Sequence, residues 1–159
     1  MTEVEIRRAT DADAEALARA YRSAYEENRR LGFPAKAESA TERDVSEWIR
    51  KSRVYVAEAG DEVVGGVRLE ATDSERVKLS RLGVHENRKG EGVGSRLLDR
   101  AERAVRDWGY ATIWLTTPED HPYLPDLYRR RGYEKTGTHP LEYREYDEIV
   151  MEKRVREGR

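Results

Sequence analysis

The sequence predicts an α/β protein: a single mixed, mostly antiparallel sheet flanked by helices, in the order β-α-α-β-β-β-α-β-α-β-β. Three observations carry this. Short segments of strand-like alternation recur between segments whose apolar residues repeat at helical spacing. At the centre of the chain a strand, a helix and a strand follow one another, and parallel neighbours need a connection of that length. A hairpin joins two of the earlier strands, and neither a linker nor an internal repeat interrupts the 159 residues, so one domain over 1–159 is expected.

The elements follow in order. Val4-Glu5-Ile6-Arg7 alternates like a strand, and Thr10 with Asp13 has the spacing of a capping box for the helix behind it. Leu17, Tyr21, Ala24 and Tyr25 then form an apolar stripe that runs to about Leu31 and ends near Gly32 and Pro34. Thr41 and Asp44 open a second helix, with Val45, Trp48 and Ile49 on one face. The strands Val54 to Ala57 and Val63 to Val67 form a hairpin turning at Gly60-Asp61. Val77 to Val84 is the next strand and is expected to lie parallel to, and beside, Ala111 to Thr116. Between them Val93, Leu97, Leu98, Ala101, Val105 and Trp108 make the clearest amphipathic helix in the chain. A helix from Pro122 to Arg131 follows, with Gly132 suited to its C-terminal cap, then a strand after Gly132 and a last one around Ile149 to Lys153.

Composition narrows the function. The 30 basic and 32 acidic residues give a net charge of -2, which predicts neither a nucleic-acid nor a membrane partner. The absence of cysteine removes disulfides, thiol nucleophiles and thiolate metal ligands, and three scattered histidines make a poor cage, so no metal is expected. The first residues lack the apolar run of a signal peptide, and no stretch approaches the ~18 apolar residues of a membrane span. The cytoplasm is the expected compartment.

The chemistry concentrates at the crossover. Leu82-Gly83-Val84 ends a strand, Lys89-Gly90-Glu91-Gly92-Val93-Gly94-Ser95 turns the chain, and a helix begins at once. A glycine-rich turn lets backbone amides converge, and the helix behind adds unpaired N–H groups and the positive end of its dipole, which together suit a phosphate. The same residues also suit a tight turn that needs glycine for its backbone angles alone. Two nucleotide motifs fail on spacing. Counting G-x-G-x-x-G from Gly90 or Gly92 places Ser95 or Leu97 at the third glycine, and Gly94 is followed by Ser95-Arg96 rather than Lys-Ser/Thr.

What the stretch resembles is the pyrophosphate loop of the GNAT superfamily of N-acetyltransferases, Arg/Gln-x-x-Gly-x-Gly/Ala, with Gly92 and Gly94 at the two small positions and Lys89 at the basic one. Downstream, Leu127-Tyr128-Arg129-Arg130-Arg131-Gly132-Tyr133 is similar to that family's LYxxxGF/Y segment. The family's asparagine seven residues before the tyrosine is His121 here, and its glutamate on the fourth strand has no counterpart in Val77 to Leu82.

The resemblance implies acetyl-CoA as cosubstrate, with pyrophosphate on Lys89, Gly90, Glu91, Gly92, Val93, Gly94 and Ser95, and the pantetheine arm on Leu82, Gly83, Val84 and His121. It implies direct transfer to an amine in a ternary complex, with Tyr128 giving a proton to the departing thiolate and Glu70 the nearest substitute for the general base. The acceptor is a small-molecule or peptide amine, and a homodimer fits the same reading. A CoA-binding module without turnover, or an enzyme using a longer acyl-CoA, are the alternatives. Tyr21, Tyr25, Glu26 and Glu27 lie where family members often build the acceptor pocket, but the tyrosines also belong to the core stripe and receive no role.

Overall fold

In the computed structural model, which describes residues 3–33, 39–88, 90–139 and 146–156, the elements are β1 (Val4–Arg8), α1 (Ala14–Arg30), α2 (Glu42–Lys51), β2 (Arg53–Ala59), β3 (Glu62–Ala71), β4 (Arg76–Val84), α3 (Val93–Trp108), β5 (Thr112–Pro118), α4 (Leu124–Arg130), β6 (Glu134–His139) and β7 (Glu148–Arg154). This is the order the sequence predicts. The seven strands form one mixed sheet, β1-β2-β3-β4-β5-β7-β6. The expected parallel pair is present, with Arg76, Val77 and Lys78 facing Thr112, Ile113 and Trp114. Pairs β1–β2, β2–β3, β5–β7 and β6–β7 are antiparallel.

Two compact units are distinguished, Met1–Glu70 with Leu79–Ala101, and Ala71–Lys78 with Glu102–Arg159. In the first, Leu17, Tyr21, Val45, Val54 and Val56 form one buried cluster, with Trp48 and Ile49 packed against it. Burying a side chain such as Leu17 in full stabilises the fold by about 1.5–3 kcal/mol. Local chemistry sets the entry to α1. The Thr10 N–H donates to Asp13 Oδ2 at 2.8 Å, and both Asp13 oxygens accept from the Arg7 guanidinium at 2.8 Å. These bonds hold the Asp13 carboxyl below the usual carboxylate range, the Arg7 contact being the largest cause. Gly32 ends α1 at a φ of +95°, and the predicted Pro34 lies outside the described residues.

In the second unit the structure corrects one boundary. The helix expected to start at Pro122 begins at Leu124, with Pro125 in its first turn. A proline there gives up no hydrogen bond. The His121 side chain fixes the later start, because Nδ1 accepts from the Tyr123 and Leu124 N–H groups at 3.3 and 3.2 Å. Ile113, Leu115, Tyr133, Ile149 and Met151 are buried within this unit.

Candidate active site

Between β4 and α3 the chain makes a short 3-10 turn over Glu86–Arg88 and then passes through the glycines. Gly90 and Gly92 have φ of +83° and +79°, the left-handed region that side chains disfavour. Gly94 differs. Its φ is not positive, and a Cβ built on it meets only Val84 Cγ2, at 3.9 Å. Among the described residues nothing demands a glycine at 94, whereas a phosphate approaching the backbone would. At the start of α3 the Arg96 N–H donates to the Gly92 carbonyl at 3.1 Å, so the amides of Val93 to Ser95 precede the helical ladder at its positive end. This is the fit expected of a pyrophosphate cradle. Arg88 lies beside it, paired to Glu91 at 3.5 Å, and Lys89 lies outside the described residues.

On the strand leading in, the Leu82 carbonyl accepts from the Tyr25 hydroxyl at 3.1 Å. Gly83 is buried, and a Cβ there would meet Ala24 and Tyr21 at 3.1 Å, so packing against α1 explains that glycine without a ligand.

The same unit holds a cluster the sequence reading missed. Trp48 of α2 packs against Tyr21 of α1 with ring centroids 6.0 Å apart. The Arg81 guanidinium carbon lies 5.0 Å from the Trp48 ring centroid and that of Arg68 lies 5.7 Å from it, both in cation–π range. Arg68 also donates to Ser52 Oγ at 2.9 Å and touches Glu70 Oε2 at 3.4 Å. Arg81 has a φ of +51°, among the described residues the one non-glycine at positive φ. That conformation costs about 1–2 kcal/mol. Its Nε is shielded from water and has no hydrogen-bond partner, a further cost of about 1–3 kcal/mol. The Tyr21 hydroxyl is in the same condition, and its burial raises it well above the ordinary phenol range, so it remains a neutral donor. The sequence places Trp48 on a helix face with Val45 and Ile49 and carries no signal that Arg68 and Arg81 meet it.

In the second unit His121 is buried, and its Nδ1 is engaged in holding the start of α4. Tyr128 is buried on that helix and meets Tyr133 edge-on at 5.6 Å. The two tyrosines are not equivalent. The Tyr133 hydroxyl donates to Glu102 Oε2 at 3.2 Å, and burial, followed by the Glu102 charge, pushes it far above the usual phenol range. Glu102 is itself buried and bridged by Lys153 at 2.8 Å, so Tyr133 belongs to a structural ion cluster and makes a poor acid.

A strand, a glycine turn and a helix N-terminus at the crossover of an α/β protein are the arrangement that suits a phosphorylated ligand. Comparison with known proteins narrows the class. Residues 15–133 match the model of the acetyltransferase (GNAT) family. An uncharacterized N-acetyltransferase, YvbK, of Bacillus subtilis strain 168 is 30% identical over 109 residues, covering 68% of this chain and 70% of that one. Mouse N-acetyltransferase 8 is 31% identical over 94 residues, 56% of this chain but 41% of the mouse protein. Among solved structures, the PaiA N-acetyltransferase of Thermoplasma acidophilum in complex with coenzyme A superposes with a TM-score of 0.81 at 18% identity, covering 96% of this chain and 99% of its own. YncA of Salmonella typhimurium, solved with its cofactor acetyl-CoA, gives 0.81 at 20% identity, covering 99% and 97%.

The chain belongs to the GNAT acetyltransferase family and has its fold. It is an acetyl-CoA-dependent N-acetyltransferase. Among the described residues no group of three or more histidines or carboxylates could hold a metal ion, and no helix is long and apolar enough to cross a membrane.

Proposed function

We propose that the chain, acting as one domain over 1–159, transfers an acetyl group from acetyl-CoA directly to the primary amine of an acceptor held in a ternary complex. Acetyl-CoA supplies the acetyl thioester; the protein binds, orients and moves protons. The observation that carries the reading is the glycine at 94, which the fold does not require and a bound pyrophosphate would. The amides of residues 90 to 95 and the Lys89 side chain hold the pyrophosphate, and the main chain at Leu82 and Val84 aligns the pantetheine arm. His121 acts at one remove, fixing the helix that carries Tyr128.

An amine with a pKa near ~10 reaches the site protonated and must lose a proton before it attacks. Glu70 accepts that proton. The nitrogen then bonds to the thioester carbon, the carbon–sulfur bond breaks, the departing thiolate takes the phenolic proton of Tyr128, and the proton still held by the new amide nitrogen is lost through water and restores the phenol. The chain has no cysteine to carry an acyl group, which favours the one-step transfer over a covalent enzyme intermediate.

Tyr128→Phe tests the assignment. It keeps the ring and its contact with Tyr133 while removing the donor. Turnover, followed by release of the CoA thiol, should fall by ~10²–10⁴-fold with CoA affinity unchanged. Full activity in the variant would return Tyr128 to a packing role.

A further inference from the structure

The Trp48, Arg68 and Arg81 cluster carries more positive charge than the protein around it balances. Arg68 has Glu70 beside it at 3.4 Å. Arg81 has no carboxylate partner among the described residues; its guanidinium contacts the Trp48 ring, and its Nε is shielded and unpaired. A second unpaired donor, the Tyr21 hydroxyl, feels the charges of both arginines. Arg81 also sits in a strained backbone conformation. An exposed arginine satisfied by water would need none of this. The shielded Nε and the buried Tyr21 hydroxyl are out of a ligand's reach, but the half-buried Arg81 guanidinium as a whole is an uncompensated cation beside an aromatic face, and it suits an anionic group from outside the chain that takes hydrogen bonds from its terminal nitrogens.

The position on the strand sharpens this. Arg81 immediately precedes Leu82 to Val84, the segment that leads into the glycine loop, so the unbalanced charge stands next to the stretch assigned to the donor's arm. Glu70, through its contact with Arg68, places one negative group at the edge of the cluster, suited to an ammonium. A positive centre with a carboxylate at its margin is complementary to a small molecule bearing an anion and an amine a few bonds apart.

We propose that the acceptor is a small primary amine carrying a carboxylate, as a free amino acid does, and that Arg81, with Arg68 as the second positive charge, seats that carboxylate beside Trp48. This rests on the acetyltransferase reading of the site and names its substrate class.

The test uses matched pairs: L-amino acids and their C-terminal amides, with spermidine as a polycation, each assayed for CoA thiol release and each acid titrated calorimetrically into the CoA-loaded protein. The acids should be preferred over their amides by about tenfold to a hundredfold in kcat/KM, the range for one charge-assisted contact. Arg81→Gly removes the charge and relieves the strained φ, so it should fold; in it the preference should collapse toward unity, mainly through KM, and Arg81→Lys should restore part of it. Turnover of amides or spermidine as fast as acids, or a preference unchanged in Arg81→Gly, would overturn the carboxylate seat while leaving transfer intact. An acid that binds the wild type but not Arg81→Gly, with no amine in the panel acetylated, would uphold the seat and count against transfer.

Discussion

Replacing Gly94 with valine separates a ligand's demand for glycine from the fold's. The backbone at 94 is compatible with any residue, and the added Cβ finds ordinary contact distance, 3.9 Å to Val84 Cγ2. In a helix's first turn the exchange of glycine for valine changes intrinsic helix stability by a few tenths of a kcal/mol, in the stabilising direction. The melting temperature should therefore hold or rise slightly. CoA affinity should not hold. A side chain standing where the pyrophosphate approaches the amides of residues 90 to 95 displaces several charge-assisted hydrogen bonds, each contributing about 1.5–3 kcal/mol, so the loss of even one predicts a Kd at least tenfold weaker. Gly92→Val is the contrast: its φ of +79° makes the variant less stable by about 1–2 kcal/mol whether or not a ligand is present. Thermal melts with and without CoA, and calorimetric titration of each variant, read both quantities. A folded Gly94→Val protein with wild-type CoA affinity would show that the glycine turn is a turn and nothing more.

Two further outcomes follow from the polar contacts. Asp13→Asn should reduce stability at pH 7 by about 1.5–3 kcal/mol, since the Arg7 guanidinium loses its charged partner. Because the folded Asp13 lies below its ordinary value of 3.8, its contribution is fully present above that pH and is lost as pH falls through the lowered folded value; the gap between wild type and variant in urea midpoint should close below pH 4, and a constant gap would refute the assignment. His121→Ala should cost about 0.5–2 kcal/mol by uncapping α4 and lower turnover with little change in CoA affinity, while His121→Asn, which also presents an acceptor, should recover most of the stability; equal loss in both would mean the ring's packing against Tyr123 matters more than its Nδ1.

The fold was legible because its signals are local. The stripe of α3, the hairpin at Gly60-Asp61 and the crossover each repeat a period that the chain cannot satisfy in another way, and every predicted element is present. The start of α4 was misplaced because its cap is a histidine ring, and a proline at 122 gives the stronger local signal. The glycine loop was readable as a phosphate site, but its glycines were not separable: only backbone angles distinguish Gly90 and Gly92, which the turn requires, from Gly94, which it does not. Least legible was the Trp48 cluster. Its members come from α2, β3 and β4, and nothing in a one-dimensional pattern announces that residues 48, 68 and 81 share a ring face.

The last residues of strand β4 give a physical reason for the proposed donor and acceptor contacts to share one strand. Along it Val77 and Leu79 are buried in strict alternation, but the alternation then lapses, and Ser80, Arg81 and Leu82 are all half-buried before Gly83 returns to the interior. A residue at φ +51° leaves the extended pleat for one step, so the Arg81 side chain departs from the period of two while Ser80, Leu82 and Gly83 keep it. Without that step Arg81 would fall on the face of Val77 and Leu79, where a guanidinium would be buried against apolar neighbours at far greater cost than the strain it bears. With it, the arginine reaches the Trp48 ring while Gly83 still packs against Tyr21 and Ala24 and the strand continues toward the glycine turn. The strained residue is thus what allows one strand to present a cation at 81 and a main-chain edge at 82 to 84, and Arg81→Gly, which adopts the same φ freely, keeps the bend and the second of these while deleting the cation.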